Sequence, residues 1–187
     1  EHQQRRILAI SRIDHCQNAQ PGRETRAAAD LRKLPERNEV IVRTPTRRVS
    51  TVAIERDYLK QFKDLGLAES LLRAVSAEGY TAPTPIQTEV IPAMLAGRDV
   101  IGIAQTGTGK TASFVLPLLH RITQQNGGPA PKTCGALVLT PTRELGQQIA
   151  ENIRSYGKFM GVSVTVVVGG VKPGPQIRSL ASGADIV

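Results

Sequence analysis

Cysteine is scarce. Cys16 and Cys134 are the only two in 187 residues, and their separation fits neither a CxxC pair nor a metal-ligand cluster. Both read as ordinary reduced thiols. Histidine is equally sparse, with His2, His15 and His120 scattered along the chain. His120 falls late in a helical stretch, as a surface residue or a partner for the C-terminal dipole. Long apolar runs are missing too. None approaches the ~18 residues of a membrane span, and no charged start with an apolar core and a small cleavage site marks a signal peptide. These absences argue against a cysteine-held metal site, a helical membrane partner and a secretory route, and they favour the cytoplasm. What is present is an apolar content of 40%, enough for one domain with a sizeable core.

The charge surplus is positive, +8, which suits a partner whose phosphates release counterions when neutralised. It is spread evenly: residues 1–58 carry 12 basic and 8 acidic side chains, and residues 59–187 carry the same numbers. Charge therefore agrees with a nucleic-acid partner without establishing one.

The chemistry-bearing stretch is Ala104-Gln105-Thr106-Gly107-Thr108-Gly109-Lys110-Thr111, placed between the apolar run Asp99 to Ala104 and a helix-compatible segment. Strand, glycine-rich loop, then Lys-Thr opening a helix is the layout of a phosphate-binding P-loop. Glycines let backbone N–H groups curl around a phosphate, and the helix N-terminus adds a favourable dipole. Lys110 is expected at the β/γ-phosphates and the Thr111 hydroxyl on Mg²⁺, which makes both candidate catalytic residues. The expected ligands are a nucleoside triphosphate and Mg²⁺.

Helical periodicity begins at Ala68, Leu71, Leu72 and Val75, with Gly79 placed to end that helix. Thr84 is expected to cap a second helix that has Pro85 at its first position and Gly97 at its end. A helix from Lys110 follows the Asp99 strand, with Ala112, Val115, Leu119 and Ile122 on one face and Pro117 inside it. Ala136 to Leu139 reads as a buried strand. A helix over about Arg143 to Met160 places Leu145, Ile149, Ile153, Tyr156 and Met160 on one stripe. Val162 to Val168 reads as a strand, residues around Pro175 to Ala181 as a short helix, and Ala184 to Val187 as a strand. Alternation of this kind predicts an α/β fold, a parallel sheet flanked by helices, with the P-loop at the carboxyl end of its strand.

Four blocks occur in a fixed order: Phe62 with Gly79-Tyr-Thr-Ala-Pro-Thr-Pro-Ile-Gln87, the P-loop, Pro141-Thr142-Arg143-Glu144-Leu145, and Gly169-Gly170 after an apolar run. From about Tyr58 to Val187 the chain resembles the DEAD-box ATP-dependent RNA helicases, in wording closest to their bacterial RhlE-like branch. The blocks correspond to that family's Q motif, motif I, motif Ia and GG motif. The resemblance implies ATP as the nucleotide cofactor and a RecA-like lobe in which Gln87 reads adenine and Phe62 stacks on the base. It also implies that Pro141, Thr142, Arg143, Gly169 and Gly170 hold the RNA backbone without regard to sequence. ATP binding and hydrolysis would then drive duplex separation or ribonucleoprotein remodelling. A non-catalytic ATP- and RNA-binding lobe, or a P-loop ATPase acting on another polymer, are the competing readings.

Two expectations concern the limits of that resemblance. Residues 1–57 contain no aromatic, one glycine and 11 arginines to one lysine. They read as a disordered basic arm or as a non-native extension, since the chain starts at Glu1 and its methionines are Met94 and Met160. A short helix over residues 23–34, up to the residue before Pro35, is the one regular element expected there. Residues 58–187 read as an incomplete lobe, because the Thr-Pro-Gly-Arg, Asp-Glu-Ala-Asp and Ser-Ala-Thr motifs of the family do not occur in them.

Overall fold

Proline and glycine punctuate the helices. The computed structural model describes residues 61–125 and 127–187, together with three strands at residues 6–10, 39–43 and 49–53. After a 3₁₀ turn at Phe62–Leu65, helix α1 (Glu69–Ala77) buries Leu71, Ala74 and Val75. It stops at Gly79, where Tyr80 N–H reaches Val75 O (3.1 Å) and Gly79 N–H reaches Ser76 O (3.0 Å). This paired closure satisfies carbonyls of the last turn. Helix α2 (Pro85–Leu95) begins on proline and closes in the same way at Gly97, with Arg98 N–H on Ala93 O (3.1 Å) and Gly97 N–H on Met94 O (2.9 Å). Thr84 is the N-cap of α2 as expected, and its backbone N–H donates to Gln87 Oε1 (2.9 Å), the reciprocal half of a capping box, while its own Oγ1 is buried without a hydrogen-bond partner.

Strand β4 (Asp99–Ala104) runs into the P-loop, and helix α3 (Lys110–Thr123) leaves it. Between α2, α3 and the flanking elements lies the core. Val90, Ile91, Val115, Leu116 and Leu119 are wholly buried, and each such side chain contributes about 1.5–3 kcal/mol. Further along come β5 (Cys134–Ala136), α4 (Arg143–Tyr156), α5 (Pro173–Ala181) and β6 (Ala184–Ile186). Helix α4 carries the expected stripe: Ile149, Ile153 and Tyr156 are buried, and Leu145 and Met160 pack on the core.

The parallel sheet is built from β5 and β6 and extends to Val164, which bridges Ile186. Two expected strands are shorter than their apolar runs. The pairing of β5 stops at Ala136 apart from one further bond, Val138 N–H to Val187 O (2.8 Å); Ala136 and Val138 face the core, whereas Leu137 and Leu139, on the opposite face, are exposed rather than buried. Residues 162–168 engage β6 through Ile186 N–H to Ser163 O (3.1 Å) and Thr165 N–H to Ile186 O (2.9 Å).

β4 pairs differently. Its neighbours are β1 (Arg6–Ile10) and β2 (Glu39–Arg43), both antiparallel, with β3 (Val49–Ala53) beyond β2 in the order β1-β4-β2-β3. A buried strand has two hydrogen-bonding edges to satisfy, and these strands take both. Residues 1–57 thus contribute three described strands to the sheet around β4, and the rest of that stretch lies outside the described residues. The helix expected over residues 23–34, and Cys16, His2 and His15, lie outside the described residues.

His120 is not simply a surface residue. Its Nδ1 accepts the Ala68 backbone N–H at 3.0 Å, tying α3 to the start of α1. His120→Ala should cost about 1 kcal/mol, the scale of a lost helix cap, read as a lower urea midpoint with unchanged slope. An unmoved midpoint would show that the bond contributes nothing net.

Candidate nucleotide and nucleic-acid site

The loop between β4 and α3 is shaped by Gly107 (φ 80°) and Gly109 (φ 83°), both left-handed. Gly109 is the N-cap of α3, so the loop leads directly into a helix N-terminus, where backbone N–H groups favour an anion. Thr108 Oγ1 donates to Gln105 O (2.8 Å) and pins the turn. Lys110 Nζ folds back to donate to Ala104 O (2.7 Å) and to Gln105 O, which sets the ammonium at the end of β4. Thr111 follows in the first turn of α3.

Above this loop lies a cavity of about 390 Å³, lined by Thr106, Gly107, Gly109, Lys110 and Thr111 on one side and by Tyr80, Gln148, Asn152 and Tyr156 on the other. That size suits a small-molecule ligand. The loop, its lysine and its hydroxyl fit a nucleoside triphosphate: the ammonium and amides for phosphate, Thr111 for Mg²⁺. Among the described residues no group of three or more His, Cys, Asp or Glu could hold a metal. Thr111 is the loop's candidate Mg²⁺ ligand, beside oxygens that a nucleotide's phosphates would supply.

Gln87 and Phe62 sit deeper than base-reading groups need to. Gln87 is 1% exposed. Its Oε1 accepts from Thr84 N (2.9 Å) and its Nε2 donates to Gly109 O (3.1 Å), so the amide joins α2 to the P-loop. Phe62 is buried with its ring edge-on to Tyr80, centroids 6.5 Å apart. Tyr80 is the half-exposed aromatic at the cavity, and it accepts a hydrogen bond from the Tyr156 hydroxyl (3.2 Å). Burial, reinforced by that contact, pushes the Tyr156 phenol above its ordinary range. Sequence reading missed Tyr80 and Tyr156 as cavity residues. Tyr80 carries a signal, lying within the same Gly79–Gln87 block, whereas Tyr156 reads only as part of an apolar stripe.

The second set of residues also converges. Thr142 is the N-cap of α4, its Oγ1 accepting from Leu145 N (3.3 Å), and Pro141, Thr142 and Arg143 are exposed. Gly170, at φ 76°, approaches Arg143 so closely that a Cβ there would lie 2.5 Å from Nη2. Only glycine combines that backbone conformation with that proximity. Arg143 and Gly170, 27 positions apart, thus share one surface. Gly169 is exposed beside them.

A P-loop on an α/β scaffold, with a helix N-terminus behind it, defines a nucleotide-binding domain of the NTPase class. The DEAD/DEAH box helicase family model matches residues 84–187. The chain is 44% identical over 133 residues to the ATP-dependent rRNA helicase rrp3 of Sclerotinia sclerotiorum, covering 71% of this chain and 27% of the relative. It is 44% identical to the probable ATP-dependent RNA helicase DDX47 of Homo sapiens over 72% of this chain and 28% of that one. The RNA helicase Prp28 from Chaetomium thermophilum, solved with ADP, superposes with a TM-score of 0.58 at 33% identity, over 79% of this chain and 34% of the other. The chain belongs to the DEAD/DEAH box helicase family. It spans about a quarter of the length of the curated relatives it matches. These relatives are eukaryotic, so the resemblance to a bacterial RhlE-like branch finds no support in them.

Proposed function

We propose that this chain is the ATP-binding part of an ATP-dependent RNA helicase, coupling nucleotide binding and hydrolysis to local separation of RNA strands or remodelling of RNA–protein complexes. The observation that carries the proposal is the pairing of two sites on one scaffold. A P-loop with Lys110 and Thr111 opens into a cavity of ligand size, and Arg143 meets Gly170 on an exposed surface. Lys110 neutralises charge on the β/γ-phosphates, and loop amides and Thr111 position the nucleotide and its Mg²⁺. ATP with Mg²⁺ supplies the transferable phosphoryl group. Arg143, Thr142 and the glycine backbone bind phosphate oxygens, which carry no sequence information, so the RNA contact is sequence-tolerant. The cytoplasm is the proposed compartment, on the sequence grounds given above. ATP hydrolysis by the intact protein should rise with single-stranded RNA and not with DNA of the same sequence. Equal stimulation by both would assign it to another polymer class.

Gln87 is proposed to read the adenine edge, since its amide can both donate and accept. To do so it must release Gly109 O or share its hydrogen bonds. Gln87→Ala should weaken ATP binding about tenfold and narrow the gap between ATP and GTP. Affinities for both nucleotides decide this, and an undiminished preference for ATP would assign the base to another residue.

A further inference from the structure

We propose that Gln176 is a positioning residue that holds the Gly169–Gly170 turn in place for the nucleic-acid backbone. Helix α5 is anchored thinly. None of its residues is fully buried, and only Gln176 and Leu180, one turn apart, are half-buried. Leu180 is an ordinary apolar anchor. Gln176 does something more specific: its Oε1 accepts the Val168 backbone N–H (2.8 Å) and its Nε2 donates to the Val168 carbonyl (3.2 Å). One side-chain amide thereby satisfies both polar groups of one backbone residue, as a neighbouring strand would.

The place of that clamp gives it meaning. Among the described residues, the last ladder bond from this segment to β6 is Thr165 N–H to Ile186 O. The chain then runs on toward Gly169 and Gly170 with Val168 as its tethered residue. Gly170 must hold φ 76° and sit directly beside the Arg143 guanidinium. A rotation about Val168 would swing the glycine turn away from Arg143. Both side-chain hydrogen bonds of Gln176 go to Val168, two residues before Gly170. This inference rests on the reading of Arg143 and Gly170 as an RNA site.

The test uses the intact protein and a single-stranded oligouridine. Gln176→Ala should raise the RNA concentration for half-maximal ATPase stimulation about tenfold, the order expected for two net hydrogen bonds. The ATP KM and the kcat at saturating RNA should stay unchanged. Gln176→Glu, of similar size, can still accept from Val168 N but cannot donate to Val168 O, and it should fall with the alanine variant. Combined with Arg143→Ala, the Gln176→Ala change should cost less than it does alone, because both act on one turn. If Arg143→Ala weakens RNA binding while both Gln176 variants leave it unmoved, the proposal is overturned and the RNA site stands. Strict additivity, or a change in ATP KM or saturated kcat, also overturns it, since Gln176 would then only hold the fold. If Arg143→Ala too has no effect, the RNA site itself fails, and this inference with it.

Discussion

Replacing Lys110 with alanine is expected to abolish ATP turnover by the intact protein, with a loss of at least about 10²–10³-fold in kcat, the scale of removing one preorganised electrostatic partner. The residue stands at the mouth of the P-loop, with its ammonium donating to Ala104 O and Gln105 O at the end of β4. Those two carbonyls hold the charge over the loop beside the cavity. A phosphate entering there would meet that cation beside the cavity. Phosphoryl transfer asks little of the protein except positioning and neutralisation, so the missing charge has no substitute in the described loop. Lys110→Arg should not restore the rate, because a planar fork is not a compact point charge. Single-turnover hydrolysis with radiolabelled ATP measures the effect. A rate within twofold of wild type would refute the P-loop assignment.

Much of this was legible in the primary structure, and for local reasons. The P-loop, the two helices closed at Gly79 and Gly97, and the stripe on α4 are all written within a few residues of where they act. Periodicity and turn chemistry are properties of neighbours. What was not legible is long-range pairing. His120 on Ala68 N–H, Gln87 on Gly109 O and the Gln176 clamp on Val168 join residues between 8 and 52 positions apart. A polar side chain used in this way leaves no repeat in the sequence. Gln87 shows the difference most clearly. The family resemblance implies a base reader, and in the structure its buried amide joins α2 to the phosphate loop. Burial along a strand was not legible either. Ala136 to Leu139 is apolar enough to be a buried strand, yet Leu139 is 84% exposed because it shares with Leu137 the face turned away from the core that Ala136 and Val138 meet. The pairing of β4 with strands from the first 57 residues was likewise hidden, since an apolar strand does not name its partners.

The bolt between α2 and the loop makes Gly109 the most sensitive backbone position in the site. Its φ of 83° is left-handed, and a non-glycine residue held there costs about 1–3 kcal/mol. Space is lacking as well. A Cβ at 109 would overlap Gln87 Nε2 and lie 3.2 Å from Thr84 Oγ1. Gln87 cannot simply swing aside, because it is buried and its Oε1 is committed to Thr84 N–H. Relief must come from the loop, which would shift the amides that face the phosphates and the carbonyl that holds Gln87. Gly109→Ala is therefore expected to lower stability by about 2–4 kcal/mol, combining backbone strain with overpacking, and to weaken ATP binding by at least about tenfold. Adding Gln87→Ala removes the overlap but not the strained φ. The double variant should then be more stable than the sum of the single losses by about 1 kcal/mol, as coupled neighbours require. Urea denaturation of the three variants, with nucleotide binding followed by a fluorescent ATP analogue, makes the comparison. Strict additivity would mean that residues 87 and 109 do not meet, and the α2–P-loop bolt would have to be abandoned.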